Sequence, residues 1–489
     1  MRDRQLQVLG GIVLLGAIVR FATLDLQSYW YDEAVTVSLV EMNLGDMLDR
    51  VPESESTPPL YYVVAWLWAK VFGTGEVGLR SLSAFAGTAF VPVAYAAASR
   101  LAGARVGLVA AALAALNPIL VWYSQEARAY ALVLLLAGLS FLFFCRLLTG
   151  DMRRRMLVAW AVASALALAT HYFAAFLVAA EGVWLLASAA NRRPVAVALA
   201  GVGAVELALL PLLLHQRSLA LADFIDETSL AYRLARTPKQ FLVGFDAPGE
   251  VVTAVVAGLL VLLGAWLLWS RGDERERRAA RIGLGVGGTL LVAPVLLALA
   301  GVDYFDTRNV LIAWLPLVVA LAAGFGAERA GRAGITAAVA LIVVSGSTVL
   351  FVNTRPTLQR DDWRAVGEAL GSPLAAPRAV VVAPVSAGPP LDIYAPELEL
   401  MPATGTTDVQ QIDLVALPRR DRTQARPAAP PRPEDHPPPA AGFELVETRF
   451  EETFTLLRFT APAPVAVTAA GLAATNVDPG RQSGVFLEP

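Results

Sequence analysis

Eleven stretches of this 489-residue chain are apolar for long enough to cross a bilayer as helices, near residues 6–23, 79–99, 106–123, 129–148, 156–172, 173–190, 195–215, 251–270, 282–300, 309–327 and 333–352. Hydrocarbon offers a backbone no hydrogen-bond partners, so such segments must satisfy their N–H and C=O groups internally. The fold class predicted is therefore mainly α, a polytopic membrane helix bundle of about eleven spans. A composition of 56% apolar and only 17% charged residues agrees with this. A formal net charge of −3, with no basic patch interleaved with aromatics, gives no reason to expect a nucleic-acid partner. The single cysteine, Cys145, lies inside an apolar run and allows neither an internal disulfide nor a cysteine-based metal site.

Sidedness follows from the basic residues. The apolar segment 58–73, "PPLYYVVAWLWAKVFG", is short and opens on two prolines. If it lies along the outer interface instead of crossing, then Arg100, Arg105, Arg153–Arg155, Arg192, Arg193, the cluster "RGDERERRAAR" and Arg329 with Arg332 all face the cytoplasm. The first run starts with basic residues, is closed by Arg20 and has no A-x-A cleavage site after it, so it reads as an uncleaved span with a cytoplasmic N-terminus. On this arrangement "SYWYDEAV", "STPPLYY", "WYSQEARAY", "THYF", the loop of about 216–250, "DYFDTRN" and everything after residue 353 share the outer face.

The predicted organisation is a membrane domain over 1–353, whose first outer loop, 24–78, carries an acidic motif. An extracytoplasmic α/β domain follows over 354–462. Its elements are an amphipathic helix over about 361–370 and strands at "AVVVAP", "LELMP", "DLVAL", "FELVETRF" and "TFTLLRFT". Residues 418–442 are too rich in proline and charge to pack, and 463–489 read as a loose tail.

The outer face gathers the chemistry-bearing residues. Asp32 and Glu33 are adjacent and must point in different directions, which suits separate tasks; a carboxylate shielded by Tyr29, Trp30 and Tyr31 suits a general base, while capping a helix is the structural alternative. Glu126 and Arg128 sit at the end of a span, where they either snorkel as an interfacial pair or line a polar cavity. His171 and Tyr172 end another span, and a metal there would have to recruit nearby carboxylates. Arg308 either pairs with Asp306 or holds a phosphate through its fork of donors. Glu181 and Glu206 lie within apolar spans and support a rival reading, a proton-coupled transporter or flippase. A non-catalytic envelope scaffold is a third reading, but it has no use for Glu, Arg and His concentrated at span ends.

The order of these pieces, "DE" after an aromatic, then "PPLYY", "RSLSAFAG", "SQEARAYAL", "THYF", an arginine at the outer end of a late span, and "DDWR" after the last one, resembles the bacterial protein O-mannosyltransferase and lipid A aminoarabinose transferase superfamily, membrane glycosyltransferases of the C fold. The resemblance covers roughly residues 5–370. It implies a polyprenyl-phosphate-linked sugar donor, a lipid, glycan or protein acceptor, and an inverting transfer at the outer face of the bacterial cytoplasmic membrane. It further implies that Asp32 is the base with Glu33 beside it, that Glu126, Arg128 and Arg308 contact acceptor or donor phosphate, and that Tyr61, His171 and Tyr172 contact substrate. A divalent cation is the one cofactor left open. Two positions depart from the pattern: Thr57 stands where many relatives carry His or Lys, and Asn309 follows Arg308 where many carry Tyr.

Overall fold

The computed structural model describes residues 2–419, 429–433 and 435–488. In chain order its helices are α1 (Arg2–Phe21), α2 (Tyr31–Glu41), α3 (Leu44–Ser54), α4 (Leu60–Phe72), α5 (Glu76–Ala102), α6 (Ala104–Leu116), α7 (Pro118–Ser124), α8 (Tyr130–Leu148), α9 (Arg154–Thr170), α10 (Ala174–Ser188), α11 (Arg193–Ser218), α12 (Leu230–Val243), α13 (Glu250–Arg271), α14 (Glu274–Leu299), α15 (Trp314–Gly326), α16 (Gly331–Asn353), α17 (Trp363–Leu370), α18 (Gly388–Tyr394) and α19 (Ala469–Ala473). The strands are β1 (Arg378–Ala383), β2 (Glu399–Leu400), β3 (Thr406–Ala416), β4 (Glu444–Phe450), β5 (Thr455–Thr468) and β6 (Gly484–Glu488).

The chain divides into two units. One comprises Met1–Leu24 with Leu39–Phe351, the other Asp25–Ser38 with Val352–Pro489. The start of the first loop, expected to belong to the membrane domain, thus groups with the C-terminal residues.

Each of the eleven apolar runs of the first unit is helical. Among the described residues, seven helices are long and apolar enough to cross a membrane, or eight if the pair α6 and α7, bent by 57°, is one span. α9, α10 and α15 have 17, 15 and 13 residues and are shorter. The bend follows from sequence: Pro118 has no N–H to continue α6, and Asn117 caps α7 by accepting from Leu120 N at 3.2 Å. The carbonyls this break releases are taken up by Arg20, a buried side chain that donates to Ala114 O at 3.0 Å and Ala115 O at 2.7 Å. Arg20 therefore does more than close a span. It supplies a donor where proline withholds one.

α5 packs against α6, α7 and α8 through a face rich in small residues, including Ala84, Ala86, Gly87, Ala94 and Ala98. Small side chains let helices approach in a setting where packing, not water exclusion, drives association. At Gly87 a Cβ would fall 2.0 Å from Ser124 Oγ, so only glycine admits α7 there.

In the second unit a six-stranded sheet has the order β2-β6-β1-β3-β5-β4, with β1 and β3 parallel and the other pairs antiparallel. "AVVVA" is apolar at every position because both faces are covered: Ala379 and Val381 pack with Ile412, Leu414 and Phe459, while Val380 and Val382 pack with Trp363 of α17 and Leu391 of α18. The tail expected to be loose beyond 463 is instead the end of β5, then α19, then β6 inserted between β1 and β2. Period-2 alternation is weak in "GVFLE", and the neighbouring strands supply its order. Of the proline-rich segment, 420–428 and 434 lie outside the described residues. The described part of that segment, including 429–433 and 435–442, contains no helix or strand.

Candidate active site

In the first unit the polar residues of several helix ends join into one network. Arg128, just before α8, meets Glu55, just after α3, as a two-pronged pair: Nη1 to Oε1 and Nη2 to Oε2, both at 2.7 Å. Both side chains are buried, so the pair must be closely matched to offset the loss of hydration. Beside it Thr57 and Tyr62 share a hydrogen bond at 3.2 Å, Gln216 Nε2 donates to Thr57 O at 3.1 Å, and Tyr172 donates to Gln216 Oε1 at 2.7 Å. Thr57, where the related pattern has a cation, is thus a joint between α4 and the end of α11.

The segment "SQEAR" divides its labour. Ser124 accepts from Arg20 Nε at 3.1 Å, and Gln125 donates to Val19 O, Arg20 O and Thr23 Oγ1 at the end of α1. Its first half is therefore structural. Glu126 is buried in the turn that follows, and Arg128 engages Glu55. Tyr61 is fully buried, its ring edge-on to Tyr62 at 5.4 Å. Tyr130 packs near both Tyr123, at 4.6 Å, and His171, at 6.3 Å. His171 Nδ1 accepts from Phe173 N at 3.2 Å, which fixes the imidazole in the break between α9 and α10.

Arg308 lies in the loop before α15. Its Nε is 4.0 Å from Asp306, and its guanidinium stacks over the Phe224 ring at 4.8 Å. Asp306 is held more closely by Arg236 Nη2, at 2.5 Å. Arg233 grips Asp303 with both prongs, one at 2.8 Å, and donates to Thr228 O at 2.8 Å and to Phe305 O. Hydrogen bonding from Arg233 holds the Asp303 carboxyl below the usual range. α12 is thus the brace of the loop that carries Arg308. Sequence reasoning left Glu55, Gln216, Arg233 and Arg236 out. Arg233 and Arg236, three apart behind the Ser229 cap, carried a helix-face signal within the loop of 216–250; nothing local separates Glu55 from Glu53.

In the second unit, α2 begins at Tyr31 and places Asp32 and Glu33 in its first turn, about 100° apart around the axis. Glu33 is buried and Asp32 half-buried, so the two carboxylates have different surroundings, as their adjacency predicts.

The two intramembrane acids differ in their surroundings. Glu181 Oε2 accepts from Ser140 at 2.6 Å and from Trp160 Nε1 at 2.7 Å within packed α8, α9 and α10, and Glu206 is exposed on α11. Among the described residues no three His, Cys, Asp or Glu side chains are grouped closely enough to hold a metal ion.

Residues 56–215 match the family model described as dolichyl-phosphate-mannose-protein mannosyltransferase. The chain is similar in fold to ArnT from Cupriavidus metallidurans bound to undecaprenyl phosphate, with 14% identity, a TM-score of 0.53, and coverage of 91% of this chain and 97% of that one. The apo oligosaccharyltransferase of Archaeoglobus fulgidus is also similar, with 11% identity, a TM-score of 0.49, and coverage of 76% and 58%. No curated protein sequence matches the chain. The fold is that of the membrane glycosyltransferases of the C fold, a polytopic helix bundle with a C-terminal domain.

Proposed function

We propose that the protein transfers a sugar from a polyprenyl-phosphate-linked donor to an acceptor hydroxyl at the outer face of the bacterial cytoplasmic membrane, with inversion at the sugar. The observation that carries this reading is the network of the buried Arg128–Glu55 pair with Thr57, Tyr62, Gln216 and Tyr172, which joins the ends of α3, α4, α8, α9 and α11 in a stretch most of which matches a mannosyltransferase family model. The similarity to a structure bound to undecaprenyl phosphate supports a lipid-phosphate donor.

Sugar transfer needs a base for the acceptor hydroxyl and positive charge for the departing lipid phosphate. Asp32 takes the first role, being the more accessible of the adjacent carboxylates. Arg308 takes the second. Its guanidinium, 4.0 Å from Asp306 and stacked over the Phe224 ring, is the positive charge that stabilises a leaving group whose charge grows in the transition state. Arg128, paired with Glu55, holds the end of α3 against the turn that carries Glu126. Tyr172 within the network, Tyr61 against Tyr62 and His171 beside Tyr130 serve as substrate contacts. The transporter reading draws no support from Glu181, whose Oε2 is held by Ser140 and Trp160 among packed helices, or from Glu206, exposed on α11.

The test is transfer from undecaprenyl-phosphate-linked mannose by the reconstituted full chain. Asp32→Asn is expected to abolish transfer while the protein remains inserted and folded. Transfer by that variant at the wild-type rate would show that another group is the base.

A further inference from the structure

The segment leading into Asp32 is held, residue by residue, by a part of the chain more than three hundred positions away. Gln27 Oε1 accepts from Arg360 N at 3.0 Å and from Arg360 Nη1 at 3.1 Å. Ser28 Oγ donates to Asp361 O at 2.8 Å and accepts from Trp363 N at 2.9 Å. Tyr29 N donates to the Tyr394 hydroxyl at 2.7 Å, and Arg364 Nη2 donates to Asp25 O at 3.1 Å. Gln27, Ser28 and Tyr29 are all buried. The next residue, Trp30, gives its carbonyl to Ala34 N at 2.9 Å in the first turn of α2, the turn that contains Asp32.

The holding side is itself fixed to the sheet. Trp363 and Leu370 of α17 lie in the core with Val380 and Val382 of β1. Two buried arginines of the strands, Arg378 and Arg458, donate to Leu370 O at 2.8 Å and 2.9 Å, at the carbonyl end of α17 where positive charge is favoured. Asp413 of β3 accepts from Arg458 Nε at 3.1 Å and so keeps this pair compensated. α18 approaches α17 at Gly367, where a Cβ would fall 2.3 Å from Tyr394 O, so the position of Tyr394 is set by backbone packing.

We infer that the C-terminal α/β domain is the positioning device for Asp32: Tyr394, with the 360–364 segment, sets the backbone from which α2 starts. This inference rests on the reading of Asp32 as the base. Tyr394 and Ser28 are positioning residues, acting through the backbone three or four residues before the carboxylate. A cluster of hydrogen bonds suits that purpose better than apolar packing, because it fixes direction as well as distance. The domain therefore has a task in the reaction even where it touches no substrate.

The experiment uses the full chain in lipid nanodiscs and compares wild type, Tyr394→Phe and Gln27→Ala. Tyr394→Phe removes the hydroxyl that accepts from Tyr29 N, and Gln27→Ala removes the Oε1 that accepts from Arg360 N and Nη1. Hydrogen exchange of amides 29–36 is expected to speed up about tenfold or more in each variant, the size of effect that follows from losing one or two buried hydrogen bonds, while amides of β1 and β3 keep wild-type protection. Transfer from undecaprenyl-phosphate-linked mannose is expected to lose about tenfold in kcat with KM changed by less than about twofold, the pattern of a displaced reacting group with donor binding intact. Wild-type exchange at 29–36 in both variants overturns the inference. If Tyr394→Phe also exposes β1 and β3, that variant has unfolded the domain and Gln27→Ala decides. If the wild type transfers no sugar, the donor reading falls and the exchange result decides the positioning device by itself.

Discussion

Arg128 and Glu55, 73 residues apart in sequence, face each other as a buried two-pronged ion pair with both contacts at 2.7 Å. Removing one partner leaves a desolvated charge. Glu55→Ala is therefore expected to cost about 3–5 kcal/mol, and Arg128→Met in the same chain to restore much of that loss. Chemical denaturation of the two single variants and the double variant in detergent checks this; additive losses would mean that the pair is not coupled.

Arg20 is predicted to be required for the bend between α6 and α7. Arg20→Met withdraws donors from Ala114 O and Ala115 O, and buried carbonyls without partners cost about 1–3 kcal/mol each. A drop in thermal midpoint, with Arg20→Lys falling between wild type and Arg20→Met, is the expected order. Equal midpoints for all three would show that other donors suffice.

The bond from Arg233 to Asp303 predicts an acid-dependent stability. The folded Asp303 carboxyl titrates below its unfolded value, so its contribution is complete above the unfolded pKa of about 3.9 and is lost as pH falls through the lower folded value. Between pH 7 and pH 5 the wild type and Asp303→Asn should therefore differ by a constant amount. Below about pH 4 the gap should close. A gap that widens on acidification would reverse the assignment.

Asp413 is buried between Arg378 and Arg458. Asp413→Ala is expected to destabilise the C-terminal domain by about 3–5 kcal/mol, since two guanidinium groups lose their shared counter-charge. Proteolysis of the variant should then begin within 352–488 while the helical unit stays resistant. Wild-type resistance throughout would show that Glu447 and Glu488 compensate.

Several elements were legible because their causes are local. The apolar runs and the continuous "AVVVA" act over a few residues, and the period of the pattern names the element. That Asp32 and Glu33 have different surroundings could be expected from adjacency alone. β6 could not be foreseen, because its order comes from β1 and β2 and hardly from "GVFLE" itself. Arg20 was read as the closing residue of a span, since its acceptors lie 94 and 95 positions away.

By itself, then, the sequence determined that the chain is a polytopic helix bundle followed by a small sheet domain: bilayer length and side-chain periodicity are properties of short segments. The tertiary structure alone decided which charge meets which, pairing Arg128 with Glu55, bracing the Arg308 loop from α12, and assigning the residues before Asp32 to the C-terminal domain across 333 positions. Side chains choose partners by distance and burial after the helices and strands have packed, and neither quantity is a local property of the chain.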